Sequence, residues 1–73
     1  MFAAMFAIEI VIVRPGKDPL VIDRATLAAS SIDDADRGAR TLLERAQRMR
    51  PHNPPNGYRI IDGNGAVVRS WER

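Results

Sequence analysis

The segment that decides the fold is SSIDDADRGARTLLERAQRMR, residues 30–50. Small and apolar side chains recur in it at spacings of three and four, the period of a helix with one buried face. Ser31 is a favourable N-cap, and Asp34 occupies the position of the acidic partner in a capping box. The helix must end before Pro51, because a residue that precedes proline avoids the helical conformation. The predicted apolar stripe consists of Ala35, Ala39, Leu42, Leu43, Ala46 and Met49.

Charged side chains lie along this helix as its dipole prefers. Aspartates occupy the first turns and arginines the last, so each opposes the partial charge of its helix end. The spacing also predicts ion pairs with the acid four residues before the base, each worth only about 0.3–0.5 kcal/mol when exposed. Gly38 either lets a strand approach closely or is incidental. The predicted pairs are Asp33 with Arg37, Asp36 with Arg40, and Glu44 with Arg48.

Short apolar runs flank the helix on both sides and predict four strands. The first two, residues 5–14 and 20–27, are joined by a short loop that contains proline. The last two, residues 58–61 and 66–71, are separated by the sequence DGNG, a strong hairpin turn because glycine and asparagine tolerate positive φ. The element order β-β-α-β-β predicts an α+β fold, in which a four-stranded antiparallel sheet packs one face against one helix.

Length and composition predict one domain and exclude several kinds of site. The 73 residues form a single small domain, which buries only about 60% of its unfolded surface. The chain has no cysteine and a single histidine, His52, so disulfides, thiolate metal sites and multi-histidine metal sites are excluded. We predict no catalytic, metal-binding or cofactor-binding residue and no small-molecule substrate. The expectation is a non-enzymatic protein of the bacterial cytoplasm.

The N-terminal run MFAAMFAIEIVIV, residues 1–13, is apolar apart from Glu9. It is too short for a membrane span, which needs about 20 apolar residues. It also lacks the basic start and the small-residue cleavage site of a signal peptide. The run therefore predicts a buried strand and no membrane segment. If Met5 is the true start of the chain, residues 1–4 are an unstructured extension.

The first predicted strand is apolar on both faces, whereas one helix can cover only one face of the sheet. A large uncovered apolar face usually marks an interface, so we expect a homodimer, formed by packing of sheet faces or by pairing of edge strands. The alternative is that the N-terminal residues fold back over the open face. Trp71 is a lid on the core or part of the dimer contact, and the remaining alternative is that it stacks on a ligand. The predicted dimer interface consists of Ile8, Ile10, Val11, Ile12 and Trp71.

A basic region is the second candidate surface. Between Arg37 and Arg59 the chain holds six arginines and one acidic residue, Glu44. Nucleic-acid binding needs such clustering, because neutralised phosphates supply most of the non-specific affinity. The alternative interpretation is a solvated helix face whose arginines favour the helix C-terminus. The candidate nucleic-acid contacts are Arg45, Arg48, Arg50, His52, Tyr58 and Arg59, with Tyr58 placed to stack on a base.

Two family resemblances accompany these patterns. The helix of residues 31–49, followed by YRIIDGNGAVVRSW (residues 58–71), resembles a group of short uncharacterised bacterial proteins. In that group an acidic-capped helix precedes a closing hairpin with a D-x-x-G turn, which implies a small soluble α+β domain. The stretch SIDDA (residues 31–35) is similar to the T-x-x-E-A cap of HicB-like antitoxins, in which a β-meander leads into a helix. Neither resemblance implies a functional residue in this chain.

Overall fold

A computed structural model describes residues 3–72 and has the predicted α+β architecture. Its four strands form one antiparallel sheet in the order β2-β1-β3-β4, so β2 and β4 are the edge strands. The predicted fold class and element order are thereby confirmed. The elements are β1 (Ala4–Ile12), β2 (Leu20–Ala29), α1 (Ile32–Met49), β3 (Gly57–Ile61) and β4 (Val67–Glu72).

The helix begins where its capping chemistry predicts. Ser31 has an extended backbone, and its Oγ accepts a hydrogen bond of 3.1 Å from the backbone N–H of Asp34. The carboxylate of Asp34 accepts hydrogen bonds from the Ser30 hydroxyl and from Arg37, and these contacts lower the pKa of Asp34. The predicted N-cap is confirmed.

One of the predicted ion pairs within the helix is replaced by an ion pair between the helix and the sheet. Arg37 pairs with Asp34, three residues before it, and not with Asp33. Asp33 instead pairs with Arg69 of β4, at 2.9 Å between Oδ1 and Nη1. The predicted pair of Asp33 with Arg37 is therefore wrong, because a cation that is distant in sequence reaches the first turn of the helix.

Gly38 leaves room for a side chain of β2. A Cβ atom at this position would stand 2.9 Å from Cδ2 of Leu27, which is closer than real Cβ contacts. The three nearest atoms all belong to the Leu27 side chain, so the structure shows this side chain packed on the glycine and not a close approach of the strand backbone. The core between helix and sheet consists of Phe6, Ile8, Ile10, Ala29, Ala35, Ala39, Leu43, Tyr58 and Ile60.

The isoleucines of β1 are buried by the chain's own elements. In the pairing of β1 with β3, Ile8 and Ile10 stand opposite Ile60 and Tyr58, and this face of the sheet lies under α1. Their exposed fractions, together with those of Val11 and Ile12, range only from 0% to 7%. The predicted centre of the dimer interface thus belongs to the interior of a single chain, which corrects the expectation that these residues form an exposed contact.

The face of the sheet opposite the helix, hereafter the open face, mixes charged with apolar side chains. At its centre Glu9 pairs with Arg59, at 2.7 Å between Oε1 and Nη2, and Arg24 stands opposite Glu9 on β2. The residues around this pair include exposed Met5 and Val67. The open face is therefore not the continuous apolar surface that the pattern of the first strand suggested.

The N-terminal residues do not fold back over the open face within the described part of the chain. Ala4 is already part of β1, where it pairs with Ala29. Of the extension predicted for residues 1–4, Met1 and Phe2 lie outside the described residues. Within residues 3–72, no helix combines the length and the apolar character needed to cross a membrane.

Candidate functional site

A buried polar network joins α1 to β3 and β4. Asp36 lies on the sheet side of the helix and is only 8% exposed. Its carboxylate accepts a hydrogen bond from the Tyr58 hydroxyl and another, of 3.0 Å, from Nε of Arg40. Nη1 of Arg69 lies 3.9 Å from the same carboxylate. The predicted pair of Asp36 with Arg40 is confirmed, and this carboxylate also holds two strands to the helix.

The network fixes the charge state of its members. Burial by itself would raise the pKa of Asp36, but the hydrogen bonds from Tyr58 and Arg40 and the positive charges of Arg40 and Arg69 outweigh burial and lower this pKa. Burial and the hydrogen bond to Asp36 both raise the pKa of Tyr58. At neutral pH the pair therefore consists of a carboxylate and a neutral phenol.

We expect Asp36 to make the protein less stable in acid. Its folded pKa lies below its ordinary value of 3.8, so the unfolded chain takes up the proton more readily than the folded chain. The stabilisation is complete above the ordinary pKa and is lost as the pH falls through the lowered, folded value. Urea unfolding at about pH 6 and at about pH 2 should show a larger loss of stability in the wild type than in Asp36→Asn, which gains no proton. Equal losses would assign the acid sensitivity to other carboxyl groups.

Tyr58 and Trp71 form an aromatic wall on the helix side of the sheet. They are register partners in β3 and β4, and their rings stack with centroids 6.0 Å apart and planes 19° apart. Tyr58 is 1% exposed, whereas Trp71 is 39% exposed. Trp71 therefore covers Tyr58 as a partial lid and leaves part of its own ring accessible to solvent.

A groove of about 220 Å³ lies between the helix and the edge strand next to this aromatic wall. We call it the α1–β4 groove. It combines buried apolar and aromatic side chains with polar side chains from the exposed flank of the helix. Its lining residues are Arg40, Leu43, Glu44, Gln47, Tyr58 and Trp71.

The structure does not bring the candidate nucleic-acid residues together. Tyr58 lies beneath the helix with its hydroxyl on Asp36, so its ring is not available to stack on a base. Arg59 lies on the open face, where it pairs with Glu9. The remaining four residues are exposed at the end of α1 and in the loop that follows: Arg45, Arg48, Arg50 and His52.

The edge strand β2 offers a free hydrogen-bonding edge. It has ten residues, against six in β4, and one of its sides has no strand partner within residues 3–72. Its charges are confined to Asp23 and Arg24, close to the irregularity in the pairing with β1. Residues 25–29, hereafter the uncharged strip, carry the sequence ATLAA. Unpaired N–H and C=O groups along such a strip are a template for pairing with another strand.

Sequence reasoning missed the buried position of Asp36 and, with it, the α1–β4 groove. Acidic residues in the first turns of a helix are usually explained by the dipole, and that explanation concealed the tertiary role of this residue. A usable signal was present, since Asp36 precedes Ala39 by three residues and Leu43 by seven. This spacing places it on the buried stripe.

No protein-family model matches the chain, and comparisons with curated proteins and with solved structures find no match. The resemblances to short uncharacterised bacterial proteins and to HicB-like antitoxins therefore stay predictions. Among the residues that the structure describes, no group of three or more histidine, aspartate or glutamate side chains is placed to hold a metal ion.

Proposed function

We propose that the protein is a small, non-enzymatic interaction module that homodimerises by antiparallel pairing of its β2 edges. The observation that carries this proposal is the uncharged strip on the longer edge strand, whose outer side has no partner within residues 3–72. Antiparallel pairing of a strand with its own copy is isologous, so one surface serves both subunits. The two sheets become one continuous sheet.

The sequence of β2 favours one register for this pairing. A two-fold axis at Leu27 places Leu27 opposite its own copy and Thr26 opposite Ala28 of the second subunit. Every pair within the uncharged strip is then neutral, whereas an axis at Arg24 would set two like charges directly opposite each other, which is unfavourable. Leu27 is half-buried and packs against the core, so this register joins the two cores.

Edge pairing is favoured over packing of two open faces. Face packing would bury the ion pair of Glu9 with Arg59, and the Nε atom of Arg59 is buried without a hydrogen-bond partner already. Arg24 would lose its water at the same time. The free-energy cost of removing water from buried charges often exceeds the free energy gained from their mutual attraction. Pairing of β2 edges leaves these charges at the solvent.

We expect a dimer at micromolar protein concentration that is weakened about tenfold by Thr26→Lys, because lysine along an edge is one way in which natural strands avoid pairing. Thr26 is exposed, so the substitution leaves the folded monomer intact. Sedimentation velocity over a range of concentrations measures the change. The matched control is Val67→Lys, which adds the same charge to an exposed open-face position of the other edge strand, β4, opposite the uncharged Ile61.

The control variant separates an effect of the β2 edge from an effect of added charge. Val67→Lys should dimerise as the wild type does. A wild type that is monomeric at all concentrations would refute the proposal, as would equal weakening by the two lysine substitutions.

Nucleic-acid binding is the second candidate function. The observation that favours it is that Arg45, Arg48 and Arg50 are exposed and form no ion pair with any residue from 3 to 72. Phosphate contacts by these side chains would give an affinity that falls steeply with salt. The separate positions of Tyr58 and Arg59 make this surface smaller than the sequence predicts, so dimerisation stands first.

A further inference from the structure

We propose that the α1–β4 groove binds the side chain of an arginine from a partner peptide, with the guanidinium group against the Trp71 ring and beside the Glu44 carboxylate. This site lies on the opposite edge of the sheet from β2. The inference does not depend on dimerisation.

The two charged side chains that line the groove differ, because Arg40 has an ion pair and Glu44 has none within residues 3–72. Asp33 and Asp36 are balanced by Arg40 and Arg69, with contacts of 3.0 Å from Arg40 to Asp36 and 2.9 Å from Arg69 to Asp33. Glu44 forms no ion pair within residues 3–72, so the predicted pair of Glu44 with Arg48 is not present. The groove therefore favours a cation. An anion would be repelled by the Glu44 carboxylate, and the positive charge of Arg40 is already paired with Asp36.

The shape and chemistry of the walls favour a planar cation. Part of the Trp71 ring is open to solvent, and tryptophan is the side chain that attracts a cation over its face most strongly. A guanidinium group also stacks its plane on an aromatic ring, whereas an ammonium group is attracted to the ring only as a point charge. The side-chain amide of Gln47 is held by a 3.0 Å hydrogen bond from its Nε2 to the carbonyl of Pro55, and its oxygen can accept from an N–H donor.

The size and position of the groove favour a side chain presented by a peptide. Its volume of about 220 Å³ is below the range of roughly 300–1,000 Å³ that is usual for drug-sized ligands. One long side chain is a better match. The groove also borders β4, the second edge strand, to which an extended peptide can add by backbone pairing.

The test uses the single tryptophan of the chain as its reporter. Trp71 fluorescence is followed while the full-length protein is titrated with the peptide acetyl-Ala-Arg-Ala-amide, or with the same peptide in which citrulline, an uncharged analogue of equal size, replaces arginine. We expect a saturable change with the arginine peptide and an affinity about fivefold lower with the citrulline peptide, since both the ring and the carboxylate act on the charge.

Two charge reversals locate the site. Glu44→Lys should lower the affinity for the arginine peptide about tenfold, because it replaces an attraction by a repulsion. The control is Glu72→Lys, which changes the net charge by the same amount. Glu72 is exposed on β4, on the open face opposite Gly57, so this substitution should keep the affinity for the peptide within about twofold of the wild type. Circular dichroism checks that both variants keep their fold. Thr26→Lys should bind the peptide as the wild type does, which separates this site from the dimer contact.

Three results would overturn the inference. The first is equal affinity for the arginine and citrulline peptides. The second is an equal loss in Glu44→Lys and Glu72→Lys, which would indicate only an effect of net charge. The third is no response of the wild type to the arginine peptide at millimolar concentration.

Discussion

Replacement of Ile8 by alanine is expected to lower the free energy of unfolding by about 3 kcal/mol. Ile8 is 0% exposed and lies under α1, so truncation removes contacts and leaves a cavity in the centre of the core. A domain of this size has only a small margin of stability. Urea unfolding measures the loss, which should be the same at low and at high protein concentration, because the contacts of Ile8 are made within one chain.

The control for this prediction lies on the same strand. Met5→Ala changes a side chain that is 57% exposed and should cost less than about 0.5 kcal/mol. If Ile8→Ala dissociated a dimer and left the unfolding of the dilute protein unchanged, Ile8 would be an interface residue, as the sequence alone predicts, and its place in the core would be refuted.

Asp36→Ala is expected to have the next largest effect. It should lower the free energy of unfolding by about 2–3 kcal/mol. The substitution leaves the buried hydroxyl of Tyr58 without its acceptor and removes the carboxylate that faces Arg40 and Arg69. Asp36→Asn keeps an acceptor of the same shape and should lose only about 1 kcal/mol. Urea unfolding of the three proteins at neutral pH provides the comparison.

A double-mutant cycle shows whether the loss comes from the network. Tyr58→Phe should lower the free energy of unfolding by about 1 kcal/mol in the wild type. In the Asp36→Ala background it should have almost no effect, because the hydroxyl there has no acceptor. Additive losses would show that the two side chains do not interact, in contradiction to the structure.

The helix and the turns were predictable because their signals are local. The Ser31 cap, the three-and-four spacing of apolar residues and the proline at position 51 set a helix that the structure places at Ile32–Met49. The sequence DGNG predicts the hairpin, and there Oδ1 of Asp62 accepts hydrogen bonds of 2.9 Å from the N–H groups of Asn64 and Ala66. Each of these contacts joins residues only a few positions apart.

The candidate sites were less predictable because their partners are distant in sequence. Glu9 interrupts an apolar run, and its meaning depends on Arg59, which only the pairing of β1 with β3 brings beside it. From the sequence, Tyr58 could face either a ligand or the core. In the structure its hydroxyl donates a hydrogen bond to Asp36, 22 residues earlier, and its ring lies in the core. The pattern of β1 indicates apolar faces but not which element covers each of them.

The proposed pairing of two copies through their β2 edges can be observed directly as intermolecular NOEs. A mixture of isotope-labelled and unlabelled protein, at a concentration where sedimentation shows dimers, gives isotope-filtered spectra that contain only contacts between subunits. We expect backbone contacts from residues 25–29 of one subunit to the same residues of the other. Contacts confined to open-face residues such as Ala7 and Ile61, with none along β2, would contradict it.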